Sequence, residues 1–288
     1  MKYLFFVLII CSITFIYASF ISFNSIDAGQ FGLISELLII IFAVQWLAFL
    51  PAFVLKTEKF YDLTGSLTYI SIFIYSLIAT DSFQSIKIGN LIIATAVLLW
   101  SFRLGLFLFV RIIRAGQDKR FDLIKVSFAQ FLMTWTLQGM WVFICSSAAL
   151  VAISSTSGTV VNYMFVIGLA VFVIGWLVEV VADNQKSAFR AIKKNQDRFI
   201  NQGLWARSRH PNYFGEITLW LGIAIMSVSS FSGMNYLALL SPVFTYLLLN
   251  YVSGIRLLEA RGFEKWGHLE DYQFYLYNTP KLIPKFFK

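Results

Sequence analysis

From Gly203 to Glu216 the sequence reads GLWARSRHPNYFGE. Arg207, Arg209, His210, Asn212, Tyr213 and Glu216 crowd together there at the edge of an apolar run. Ionisable groups at membrane depth are costly and mark function. Pro211 suits the first residue of a helix, where its missing N–H is an orphan anyway. That sets Arg209 and His210 at a helix N-terminus, where free amides and the helix dipole favour an anion. The chemistry expected is phosphate binding at a membrane surface.

A second basic set precedes it. In EVVADNQKSAFRAIKKNQDR, 179–198, the residues Asp183, Lys186, Arg190 and Lys193 or Lys194 recur at three- and four-residue steps. On a helix they share one face. Such a face serves either as a snorkelling collar or as a strip for phosphates. Arg207 and Arg209 reach the same region across a loop ending in Asn201-Gln202-Gly203. Two clusters facing one pocket would suit a ligand with several phosphates, such as a dinucleotide. No G-x-G-x-x-G follows a strand, which excludes a Rossmann domain. The histidines are His210 and His268, and no Cys/His/Asp cluster has metal spacing, so no metal is expected. Cys11 and Cys145 sit in apolar runs as small hydrophobes, with no disulfide framework.

These residues must be positioned by membrane helices. Hydrophobic residues make up 58% of the chain and charged residues 13%, far from the globular norm. The fold class predicted is all-α and polytopic, a bundle of seven to eight spans with a cofactor pocket on the cytoplasmic side. Apolar windows run over 3–23, 33–55, 63–80, 87–112, 125–153, 159–182, 213–232 and 234–253. The fifth is over-long, which predicts a tilt, a kink near Gly139, or a projecting end. Gly168 and Gly175, like Gly215 and Gly222, lie seven apart, as close helix packing requires.

Basic residues fill alternate loops, so the net charge of +8 follows from the positive-inside rule. Both termini and the motif loops are then cytoplasmic. The membrane is a bacterial inner membrane or endoplasmic reticulum, and nucleic acid is not an expected partner. The chain reads as one membrane-embedded domain. Residues 1–125 supply variable spans that wall a substrate cavity, and 126–288 carry the cofactor loops 183–216 and 254–284. The tail alternates charges and aromatics too finely to cross a membrane. It suggests interfacial helices with Trp266, Tyr272, Tyr275 and Phe286 at headgroup level. Arg256, Glu259 and Arg261 serve there either as anchors or to close the cofactor pocket.

The run GLWARSRHPNYFGE resembles the C-terminal signature of the steroid 5α-reductase family, especially its microbial members of unknown function. DNQKSAFR at 183–190 is similar to an element shared with sterol C14-reductases. LQGMW at 137–141 resembles a leucine-glutamine-glycine-aromatic element of the steroid reductases. The ending at 257–284 is similar to the microbial members. The resemblance covers the C-terminal half and hardly touches the first 90 residues. R-H-P-x-Y also occurs in isoprenylcysteine and phospholipid methyltransferases, which use S-adenosylmethionine.

The resemblance implies a membrane reductase that moves hydride from NADPH to the β-carbon of a sterol- or polyprenyl-like enone drawn from the bilayer. It would place Asp183, Lys186, Arg190, Arg207, Asn212, Tyr213, Glu216 and Arg256 around NADPH. Enone reduction also needs a hydrogen-bond donor or acid at the carbonyl. The family's tyrosine for that task falls at Trp100 here, so Tyr61, Asp62 and Tyr69 are the candidate donors, with Gln45 or Gln138 behind them. The alternative is a methyltransferase of the isoprenylcysteine or phospholipid type.

Overall fold

The computed structural model describes residues 1–23, 25–28, 31–83 and 85–285, so Phe286 lies outside the described residues. It is an all-α polytopic membrane protein: among the described residues, 8 helices are long and apolar enough to cross a bilayer. They are α1 (Lys2–Ile21), α2 (Leu33–Val54), α3 (Tyr61–Phe83), α4 (Ile88–Ala115), α5 (Phe128–Ser154), α6 (Tyr163–Ala191), α7 (Pro211–Ser227) and an eighth span at Gly233–Trp266. Two-residue strands β1 (Asp27–Ala28) and β2 (Phe31–Gly32) pair antiparallel between α1 and α2. The eighth span is irregular. A 3₁₀ stretch leads into α8 (Leu240–Leu247), a π-helical turn at Leu248–Val252, and then α9 (Ile255–Trp266). The tail adds α10 (Glu270–Asn278), so it is helical as its pattern predicts.

The chain forms two compact units. The first comprises Met1–Phe165 and Met226–Leu240, the second Val166–Ile225 and Ser241–Lys288. The sequence reading drew its internal division at 125/126, inside the first unit. The reason is α5, which packs on α1, α2 and α3 and is buried at every position from Val142 to Ser154. α5 runs unbroken through Gly139. That glycine seats α2, since a Cβ there would meet the Phe42 ring at 3.0 Å and Gln45 Cγ at 3.4 Å.

Polar side chains inside the first unit mostly bond within it. Gln45 Nε2 donates to Thr68 Oγ1 (2.9 Å), and Thr68 in turn donates to Thr64 O (2.7 Å). Gln138 Nε2 reaches Tyr61 O at 3.2 Å. At one end of the unit, Lys125 Nζ and the Asp118 N–H both donate to the buried Glu58 carboxylate at 2.8 Å. Burial alone would raise the Glu58 carboxyl, but these two donors outweigh it and hold it below the usual range.

In the second unit α6 and α7 touch backbone to backbone. A Cβ on Gly175 would lie 2.5 Å from Leu219 N, and one on Gly215 would lie 2.6 Å from Glu179 N. The glycine spacing therefore predicts the contact correctly: only hydrogen at these positions permits that approach.

Candidate functional site

The second unit builds its polar region from α6 outward. Trp205, in the loop between α6 and α7, is buried and donates its indole N–H to Ala182 O at 3.0 Å. One turn along α6, Gln185 Oε1 accepts the Leu204 N–H at 2.9 Å. Lys186 Nζ lies 4.3 Å above the Trp205 ring, a cation–π contact that fixes its charge over the loop. The aromatic rings of Phe199, Trp266, Tyr272 and Tyr275 pack together beneath the tail helices. Tyr275 closes the assembly by donating to Trp205 O at 2.7 Å.

The motif loop is strapped by the last described residues. Arg209 N donates to Pro280 O (2.9 Å), Ser208 Oγ to Leu282 O (2.7 Å) and Lys285 N to Arg207 O (2.9 Å). α7 begins at Pro211, as its sequence predicts. Immediately before it, Glu259 of α9 joins two motif side chains. His210 Nε2 is 2.9 Å from Glu259 Oε1, and Arg209 NH1 is 2.8 Å from Oε2. Tyr213 stacks on the His210 ring with centroids 5.9 Å apart.

This geometry changes what Arg209 and His210 offer. The anion they meet is a carboxylate of the chain itself. His210 is buried, and that burial pulls its pKa below the ordinary imidazole value. Glu259 opposes the shift, while Lys186 and Arg209 add to it. A neutral ring that gives Nε2–H to a carboxylate must keep a bare lone pair on Nδ1. Nδ1 is buried without a hydrogen-bond partner, and so is Arg209 Nε. The cluster therefore holds one acceptor and one donor that are both buried without partners.

Cations suited to phosphate lie elsewhere in the unit. Arg207 lines an open cavity of about 670 Å³ with Val181, Gln185, Leu204, Asn278 and Lys285. The structure thus brings Lys186, Arg209, His210, Tyr213 and Glu259 together and sets Arg207 in a groove. Asp183 and Glu216 are buried on α6 and α7, Asn212 is half-buried in the first turn of α7, and Arg190 and Arg256 are exposed. Gln185, Asn278 and Lys285 escape sequence reasoning because they come from segments far apart in the chain. Glu179, buried one turn before Asp183, escapes it too, although a lone carboxylate inside an apolar window is a recognisable signal.

The candidate donors lie in the first unit. The Tyr61 hydroxyl donates to Thr134 O at 3.0 Å. Asp62 pairs with Arg111 at 3.9 Å. Tyr69 is buried and meets the Trp100 ring edge-on, with centroids 5.2 Å apart.

Comparison with known proteins adds a family and one distant likeness. The "Probable O-methyltransferase ustE" of Ustilaginoidea virens is 27% identical to this chain over 94 residues, covering 32% of the chain and 33% of that protein. The chain thus matches about a third of that relative's length. No solved structure matches. The family described as "Protein of unknown function (DUF1295)" matches residues 48–279.

Proposed function

The chain belongs to the DUF1295 family, and we propose that it is a membrane reductase acting on the carbon–carbon double bond of a lipid-like enone. NADPH, when bound, supplies the hydride. The observation that supports this reading is the set of cations on the α6 end and the motif loop, of which Lys186 and Arg209 act directly on the buried His210–Glu259 pair. Lys186, Arg190 and Arg209 suit a cofactor carrying a 2′-phosphate and a pyrophosphate. Arg209 Nε and His210 Nδ1, buried without partners, fit the donor–acceptor edge of an adenine or a carboxamide. Glu259 holds both side chains in place.

Reduction also needs a donor to the developing enolate oxygen. Of the three sequence candidates, Tyr69 fits best. Tyr69 lies against Trp100, the position where the resembling family keeps its tyrosine. A phenol delivered from α3 thus replaces one delivered from α4. The exposed apolar surface of the spans favours a substrate drawn from the bilayer.

A second reading is a methyltransferase using S-adenosylmethionine. The likeness to an O-methyltransferase favours it, and so do the buried carboxylates Glu179, Asp183 and Glu216, which suit a sulfonium better than a phosphate. Equilibrium binding of NADPH, NADP⁺, NADH and S-adenosylmethionine to the detergent-purified chain separates the readings. NADPH is expected to bind tightest. Lys186→Ala combined with Arg190→Ala should weaken NADPH more than NADH, by about tenfold per lost charge-assisted contact. Binding of S-adenosylmethionine alone would replace the reductase with the methyltransferase.

A further inference from the structure

We propose that the groove beside Arg207 and Lys285 is a binding site for an anionic glycerophospholipid, separate from the cofactor site. Its walls are of two kinds. Val181, Leu204 and Pro280 form an apolar side, while Arg207, Lys285, Gln185 and Asn278 form a polar one. The depth of α6 in the bilayer sets where each wall lies. α6 has 29 residues, and about 20 of them span the hydrocarbon core. Counted from Tyr163, the core ends close to Val181, which is 42% exposed. Gln185 stands one turn further out, about 6 Å along the axis. Val181 therefore stands where the acyl chains end, and Gln185 sits at the level of lipid headgroups.

The polar wall is built to receive a phosphate. Arg207 is pinned at the rim, where NH1 donates to Lys285 O at 3.2 Å and Arg207 O accepts the Lys285 N–H at 2.9 Å. Arg207 is thus held to Lys285 by both its guanidinium and its backbone carbonyl. Gln185 spends its carbonyl on Leu204 N–H, which leaves its amide N–H₂ to donate. Gly203 keeps this floor open. Its φ is +63°, and a Cβ there would strike the Gln185 amide at 2.6 Å. Two cations and an amide donor beside an apolar flank match a phosphodiester with acyl chains. Basic groups at the membrane surface attract anionic lipid, and a guanidinium recognises phosphate by forked donation.

The test uses the full chain in detergent, titrated with dioctanoyl phosphatidylglycerol, dioctanoyl phosphatidylcholine and inorganic phosphate, each with and without NADPH. Phosphatidylglycerol is expected to saturate a site and to bind more tightly than either other probe. Lys285→Gln should weaken it about fivefold and Lys285→Glu roughly thirtyfold, from the contribution of each surface cation. Lys285 is exposed, so both variants should keep the melting temperature. Val181→Trp, which fills the apolar wall, should exclude the lipid and leave NADPH binding intact. Equal affinity for phosphatidylcholine, equal affinity for inorganic phosphate, or indifference to Lys285→Glu would each overturn the site. Competitive displacement of phosphatidylglycerol by NADPH would also overturn it, because the groove phosphate would then belong to the nucleotide. A chain that binds no NADPH but still selects phosphatidylglycerol would sink the reductase reading and leave the lipid site standing.

Discussion

The two units bury polar atoms in different ways. In the first, buried polar groups such as Thr68, Ser146 and Asn90 are neutral: the two hydroxyls donate to a carbonyl one turn back, and Asn90 accepts the Thr159 N–H from a distant segment. The ion pair of Glu58 with Lys125 ties the loop before α3 to the loop before α5. The second unit buries ionisable groups: Glu179, Asp183, His210 and Glu216. A neutral hydroxyl satisfied by its own helix costs little in a bilayer. A buried carboxylate or imidazole is expensive without a task. The contrast favours the second unit as the seat of the proposed cofactor contacts.

The largest effect expected would break that contrast. Tyr69→Phe in the first unit should slow single-turnover oxidation of NADPH by about a hundredfold, as loss of an oxyanion donor does, with cofactor affinity unchanged. Normal turnover in this variant would return the first unit to a purely structural role. In the second unit, Glu259→Ala removes the shared partner of Arg209 and His210. It should cost about 3 kcal/mol of stability and abolish measurable cofactor binding, while Glu259→Gln, which can still accept from His210, should retain part of both. Thermal melting and equilibrium binding report the two losses separately.

Acid should act through the second unit. His210 titrates below its ordinary value when folded, so the unfolded chain takes up this proton first as pH falls. Its contribution to stability is complete above about pH 6.5 and is lost as pH drops through the folded value. His210→Gln should flatten the melting profile over that acid range, and an unaltered profile would remove His210 as the responsible group.

Two smaller effects sharpen the picture of the first unit. Glu58→Ala should lower stability by about 2 kcal/mol by stranding Lys125 and the Asp118 N–H, with cofactor affinity intact. Gln45→Leu should change stability by less than about 1 kcal/mol. It loses the bond to Thr68 but also removes Oε1, which is buried without a partner. A large loss of turnover in folded Gln45→Leu would show that this amide touches substrate.

The sequence by itself determined the membrane class, the helix boundaries to within a few residues in most spans, and the α6–α7 contact. Each of these follows from local rules: apolar length, a proline at a helix start, and glycines seven apart. It also drew attention to Arg209 and His210, because the density of polar groups beside a span is visible in one dimension. Only the tertiary structure decided how they are used. Glu259 lies far along the chain from His210, and no local pattern foretells that its carboxylate takes both Nε2 of the imidazole and the Arg209 guanidinium. The groove was equally out of reach, since Gln185, Arg207 and Lys285 meet only when the tail folds back over the motif loop. Periodicity records which face a residue presents. What that face meets is set by packing between distant segments.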